Sequence, residues 1–435
     1  MNKRFGIRHE DKYLMERRVP VIPAHVRHLR EQYGLEALVQ GSGKRIFSDQ
    51  EFLEAGARVM PGLPEAPVIF GVKEVPIPAL EQGKTYVFFS HVIKGQSYNM
   101  PMLKQLLDLG CTLIDYEKVA DETGKRLIFF GRYAGLAGMI NTLWALGLRL
   151  EASGIKTPFL HIRQACTYAS LQEARRDVIR AGQEIAEHGL PKALCPFIVG
   201  VTGYGNVSNG AQEILSLLPV LEVEPDMLEE MAGRTDLPSN LIYRTTFREH
   251  HLSAPNDPGA PFDLQQYYRD PSGYHGLFHR YLPTLSLLVN GMYWDARYPR
   301  LVTRSQLQEM YREGEPRLRA IGDITCDIDG SIESTVKAAP IEDPIFVYDP
   351  FTHEAHSGCQ GRGIQMMTVD ILPSELPREA SEHFSAALLP FLRAIVEADY
   401  TVPLDQLALP PAIRKALIVY QGKLTPEFNH IRQYL

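Results

Sequence analysis

Lys73 in GVKEVP and His91 in FFSHVIKGQ each stand at or just beyond a short apolar run, and Lys94 follows His91 by three. If those runs are strands of a parallel sheet, the side chains beyond them reach its carboxyl edge, where ligands bind. A lysine crowded by other cations is pushed toward neutrality and becomes a base, and a histidine already titrates near physiological pH. Glu117, which closes TLIDYE, would share that edge and tune both. Arg17 and Arg18, ahead of VPVIP, and Arg126, ahead of LIFFG, add guanidinium groups. Their forked donors suit the carboxylates of an amino acid or an oxo acid. Singly, each of these residues is more often a surface lysine, a satisfied core histidine or an exposed acid; it is their grouping at successive strand ends that points to proton transfer.

A second constellation lies at Gly203-Tyr204-Gly205-Asn206-Val207-Ser208, directly after the apolar run PFIVGV. Gly203 and Gly205 let a backbone turn sharply toward a pyrophosphate, and Asn206 and Val207 open a helix whose N-terminus favours that charge. Ser208 stands where a third glycine is usual, with Gly210 and Ala211 continuing a small-residue face. Glu222 and Glu224 follow about twenty residues on, where a carboxylate accepts hydrogen bonds from a ribose and disfavours a 2′-phosphate. A plain glycine turn followed by solvated acids is the alternative.

The elements that must position these groups alternate. VPVIPAHVRHLREQYG reads as a loop leading into an amphipathic helix with Val26, Leu29 and Tyr33 on one face. APVIFGV, KTYVFFS and CTLIDYE read as strands, MPMLKQLLDLG as a helix, and PFIVGV with its glycine turn begins a βαβ unit. LRAIGDITCDID returns to strand, and REASEHFSAALLPFLRAIVEADY has helical period and the size to pack back on the first domain. Residues 251–274, rich in Pro, Gly, Asp and Tyr, read as a surface insertion. Leu127 to Leu148 is long and apolar enough to span a bilayer, but Arg132 and Asn141 within it make a buried interdomain helix the better reading.

A length of 435 residues asks for two domains. A net charge of −7 argues against a nucleic-acid partner and leaves small molecules. Five scattered cysteines without a CxxC pair read as free thiols, so neither a disulfide framework nor a metal site is expected. The charged start MNKRFGIRHEDKY lacks a signal-peptide core, and a cytoplasmic protein without a membrane partner is expected.

The segment from FFSHVIKGQSYNMPML through GRYAGLAGMINTLWALGLRL resembles the lysine–2-oxoglutarate reductase region of the bifunctional aminoadipic semialdehyde synthases. So, in the same order, do TPFLHI, VTGYGNVSNGAQEI, VNGMYWDARYPRLVTR, DITCDIDGSIE and LPSELPREASEHF. The ERRVPVIP start, the Lys73 segment and the SHVIK segment are similar, more distantly, to the lysine-forming saccharopine dehydrogenases and to alanine dehydrogenase. The resemblance implies an α/β fold of two Rossmann-like domains, with parallel sheets flanked by helices and the active site in the interdomain cleft. The substrate domain would comprise 1–133 and about 365–435, and the dinucleotide domain 134–364. It carries an acid/base pair onto Lys73 and His91, a substrate arginine onto Arg18, and supporting roles onto Lys94, Glu117 and Arg126. Asp327 matches an acidic position near the nicotinamide end. The implied activity condenses lysine with 2-oxoglutarate to saccharopine, or the reverse, using NADPH with NADH admitted. A glutamate-forming saccharopine dehydrogenase is then expected on a separate polypeptide. Another amino-acid dehydrogenase of this fold, or a nucleotide-binding sensor without turnover, are the competing readings.

Overall fold

The apolar runs near the start of the chain become the parallel strands β1 (Arg4–Ile7), β2 (Glu36–Gln40), β3 (Arg58–Met60), β4 (Val68–Phe70), β5 (Thr85–Phe88) and β6 (Thr112–Asp115). They lie in the order β3-β2-β1-β4-β5-β6. The last residues of the chain add β17 (Leu417–Tyr420), antiparallel to β6, and β18 (Lys423–Leu424), antiparallel to β17. The computed structural model describes residues 2–435. The described residues divide into two units, 2–130 with 377–435 and 131–376.

In the first unit, the helix Pro23–Tyr33 starts on a proline and is stopped by Gly34 at φ 65°. Val26 and Leu29 are buried, whereas Tyr33, expected on the same face, is 37% exposed because it falls in the final turn. The returning helix Pro377–Glu397 ties this unit together. Ser381 and Ser385 accept hydrogen bonds at 3.0 Å from the Val19 and Ile22 amides, which fixes the VPVIP segment. Phe384 of the same helix stacks on Phe130 at 4.5 Å and meets Tyr116 edge-on at 4.9 Å.

The second unit holds β7 (Phe197–Thr202), β8 (Val220–Glu222), β9 (Ile242–Phe247), β10 (Ser253–Pro255), β11 (Tyr274–Gly276), β12 (Leu287–Asn290), β13 (Ala320–Asp323), β14 (Ile345–Tyr348), β15 (Ala355–Ser357) and β16 (Ile364–Met367). Its main sheet has the order β15-β14-β16-β13-β12-β7-β9-β8, and only β14, antiparallel to both β16 and β15, runs against the rest. β7 is buried along its whole length, as a central parallel strand covered on both faces requires. The stretch 251–274 is ordered: β10 pairs with β11, and the helix Leu264–Arg269 lies between them.

Two boundaries differ from expectation. The apolar helix begins at Gly131 rather than Leu127, and Ile128 instead joins the core of the first unit. Position 365 falls within β16, which is hydrogen-bonded to β13, so the second unit extends to 376. Gly131 and Gly135 serve packing within the second unit: a Cβ on Gly135 would collide with the Val207 carbonyl oxygen, and one on Gly210 with that of Arg132. Among the described residues no helix is long and apolar enough to cross a membrane.

Gly135→Ala is therefore expected to destabilise the fold by about 1–3 kcal/mol, the usual cost of overpacking. A denaturant titration should show a lower midpoint with an unchanged slope. An unchanged midpoint would mean that the two helices can separate without cost.

Candidate active site and nucleotide site

In the first unit β1, β4, β5 and β6 are parallel neighbours, so the residues after them collect at one edge. Arg8 and Glu10 follow β1, Lys73 and Glu74 follow β4, Ser90 and His91 follow β5, and Glu117 follows β6. The centre of this edge is Glu74, a buried carboxylate. Its Oε1 lies 2.7 Å from His91 Nδ1, accepts from Lys12 Nζ at 2.8 Å, and accepts from Asn99 Nδ2 at 3.3 Å. Burial pushes the Glu74 carboxyl upward, but the bonds and charges of His91 and Lys12 outweigh it and hold the carboxyl down at about 2. An ionised carboxylate can only accept, so a His91 proton sits on Nδ1, and Nε2 is the nitrogen left to exchange a proton.

His91 is placed by backbone as well as side chain. It occupies the left-handed region at φ 50°, its ring stacks on Phe89, and its carbonyl accepts from Asn99. The amides of Val72 and Lys73 donate to the two Glu10 oxygens at 2.7 and 2.9 Å, which fixes the turn bearing Lys73. Burial raises the Glu10 carboxyl to about 6 against the pull of Arg8.

The other expected residues sort differently. Glu117 is on the expected edge, with its amide bonded to Asp115 Oδ1 at 2.8 Å, but the carboxylate on His91 is Glu74. Lys94 is exposed in the turn after His91, and Arg126 is exposed where its backbone bridges to Ala120. Arg18 is buried, its Nε and Nη2 bonded to Glu16 at 2.8 and 2.6 Å, and its guanidinium packs over Phe130 at 4.2 Å. Glu16 thus already occupies the fork expected to face a substrate carboxylate. Glu74, Lys12 and Asn99 escaped the sequence reading, although the KE dipeptide was a signal for the first.

In the second unit, the Gly203 amide donates to Phe247 O at 3.1 Å, and Gly203 takes φ +79°, which L side chains rarely adopt. Ser208, buried where a third glycine is usual, donates to the Gly203 carbonyl at 2.6 Å and so locks the turn. The helix Asn206–Leu215 has no side-chain cap, and the space around Gly205 is open. Unsatisfied amides at a helix start, beside a glycine with room above it, fit a dinucleotide pyrophosphate. A cavity of about 350 Å³ opens there, bordered by Gly203, Gly205, Phe247, Arg248, Tyr267 and Tyr268. The last two come from the 251–274 insertion.

Glu224 is not beside that turn. β9 lies between β7 and β8, and Glu222 pairs in register with Arg244, itself level with Val199 rather than with Thr202 at the strand end. Glu222 is ion-paired to Arg244 at 2.9 Å, and Glu224 is exposed one strand further out than expected. Asp327 is exposed in the loop after β13, two strands from β7.

Residues 6–137 match the alanine dehydrogenase/PNT N-terminal domain and residues 286–427 its C-terminal domain, together more than half of the chain. The chain belongs to the alanine dehydrogenase/PNT family. Within it, the chain is 38% identical to the mitochondrial alpha-aminoadipic semialdehyde synthase of Rattus norvegicus, over 98% of this chain and 47% of that protein. It therefore spans about half the length of that relative. It is 26% identical to the saccharopine dehydrogenase [NAD(+), L-lysine-forming] of Neurospora crassa, over 89% of each. The solved structure of an L-alanine dehydrogenase shares the fold with a TM-score of 0.63 and 18% identity, covering 99% of both chains. These relatives are oxidoreductases, and the alanine dehydrogenase/PNT N-terminal match contains Arg18, Lys73, Glu74, His91, Glu117 and Arg126.

For this family member, the ion pairing at Glu74 has a pH signature. Its carboxyl falls from 4.5 to about 2 on folding, so the stabilisation is complete above about pH 4.5 and is lost as pH falls toward 2. Compared with Glu74→Gln, the wild type should be more stable by up to about 3 kcal/mol at neutral pH, and the gap should close through that acid window. Denaturation midpoints of the two proteins across pH 2–7 check this. A constant gap would remove the charge from the argument.

Proposed function

We propose that this chain is a nicotinamide-dependent reductase that joins lysine to 2-oxoglutarate through a reduced imine, giving saccharopine, with NADPH as the preferred reductant. The observation that carries the reading is the pairing of His91 with an ionised Glu74 at the end of β5, beside Lys73 at the end of β4. Similarity to the aminoadipic semialdehyde synthases and saccharopine dehydrogenases supports the choice of substrates.

The chemistry asks for two proton carriers. Lysine's ε-amine must lose a proton before it attacks the ketone, and the carbinolamine oxygen must gain one before it leaves as water. A bound nicotinamide supplies the hydride that reduces the imine carbon. His91, its Nδ1 proton held by Glu74, presents Nε2 as an acceptor and returns the proton from the same atom. Lys73 is the second carrier, on a turn fixed by Glu10. Cations at this edge bind the carboxylates of both substrates, which turns a multi-component encounter into a positioned one. The glycine turn at Gly203 and Gly205, with Asn206 and Val207, holds the pyrophosphate.

Nicotinamide absorbance at fixed NADPH should fall when lysine and 2-oxoglutarate are both present, and not with either alone. No oxidation with NADPH or NADH at any pH would reject the reading. Lys73→Met is expected to lower turnover by about 10²–10⁴-fold, the usual contribution of a positioned acid/base group. Nucleotide affinity should stay within about twofold, since the glycine turn belongs to the other unit.

A further inference from the structure

We infer that Arg248 selects the nucleotide, by binding the ribose 2′-phosphate that distinguishes NADPH from NADH. The inference rests on the nicotinamide-dependent reading above and names the residue behind its cofactor preference. In a dinucleotide fold the adenosine ribose lies against the carboxyl end of the strand next to the glycine-turn strand. In this chain that neighbour is β9, because β8 is displaced to the sheet edge. Phe247 ends β9 level with Thr202, the last residue of β7, and its carbonyl accepts the Gly203 amide. Arg248 is the next residue, and it borders the same cavity as Gly203 and Gly205.

Its state fits an anion partner. The Arg248 guanidinium lies over the Tyr204 ring, 5.2 Å from its centroid, and forms no ion pair among the described residues. Arg244, four residues earlier on the same strand, is by contrast neutralised by Glu222. The one carboxylate bordering the cavity, Glu249, is engaged by phenol hydroxyls, from Tyr204 at 3.1 Å and from Tyr268 at 2.5 Å. Those donors hold it in place and reduce its repulsion of a phosphate. A planar guanidinium stacked on an aromatic ring offers two parallel donors to phosphate oxygens, and a hydroxyl at the same position cannot use its charge.

The test is binding, not turnover. Wild type, Arg248→Ala, Arg248→Lys and Glu249→Gln are titrated with NADPH, NADH and 2′,5′-ADP, followed by calorimetry or nucleotide fluorescence. Wild type should bind NADPH more tightly than NADH. Arg248→Ala should weaken NADPH and 2′,5′-ADP by about 10–100-fold, the range for a hydrogen bond to a charged group, and leave NADH within about twofold. Retained NADH binding also shows that the variant is folded. Arg248→Lys should recover part of the loss. Equal weakening of NADPH and NADH, or a wild type that binds NADH as tightly, would overturn the assignment, as would loss of the preference in Glu249→Gln but not in Arg248→Ala. If NADPH is preferred through Arg248 but lysine and 2-oxoglutarate do not oxidise it, the substrates fail and this inference stands. If NADH wins while the substrates turn over, the reverse holds.

Discussion

Parallel strands deliver everything that follows them to a single edge, and in the first unit this forces charged groups into a small space. A carboxylate there loses solvation and survives ionised only if donors surround it. Glu74 meets that demand at Oε1, with Lys12, His91 and Asn99, while its buried Oε2 has no hydrogen-bond partner among the described residues. Glu10 meets it with two backbone amides and the nearby Arg8, but incompletely, which is why its carboxyl rises while that of Glu74 falls. The orientation of His91 is thus a by-product of charge balance. The proton on Nδ1 follows from the state of Glu74, and Nε2 is left as the position that can exchange one.

The second sheet fills the same kind of edge with a hydrogen-bonded polar network. Thr202, Asn290 and Asp323 end β7, β12 and β13 side by side, and Thr202 donates to Asn290 at 2.6 Å while Asn290 donates to Asp323 at 2.9 Å. Thr325 and Thr335 donate to the Asp323 oxygens at 2.7 and 2.6 Å. Burial raises the Asp323 carboxyl despite these donors. A network with its members satisfied in a low-dielectric interior is stiff. It braces the three strands from which the glycine turn, the Met292 loop and the Asp327 loop depart.

Local features were legible where local physics decides them. The runs that became β4, β5, β6 and β7, the helix 100–108, and the glycine turn with its small-residue face all follow from hydrophobic period and from positions that tolerate only small residues. Strand order was not legible. The expectation for Glu224 assumes that the strand after the glycine-turn helix is the neighbour of β7, and β8 has only three residues with Leu221 exposed. β9 has six residues and four buried positions, so it takes the inner place, and the residue bordering the turn becomes Arg248. Nothing in the spacing from Gly205 to Glu224 records that competition. Glu74 was missed for a different reason: next to Lys73 in sequence it reads as a partner of the lysine, and only the turn after β4 aims it at His91, Lys12 and Asn99, which come from three other segments.

Arg17 and Arg18 show why residue type alone does not assign a role. As a pair they read as two equivalent guanidinium groups for carboxylates, but burial separates them. Arg18 is 3% exposed and would cost several kcal/mol to bury without a counter-charge, so Glu16 two residues earlier supplies one. The bidentate bond and the Phe130 ring fix its plane, while its charge is already spent on Glu16. Arg17 is half-buried and donates to the Lys44 carbonyl at 3.2 Å, without an ion pair among the described residues. Of the two, Arg17 keeps the uncompensated positive charge and Arg18 the rigid geometry.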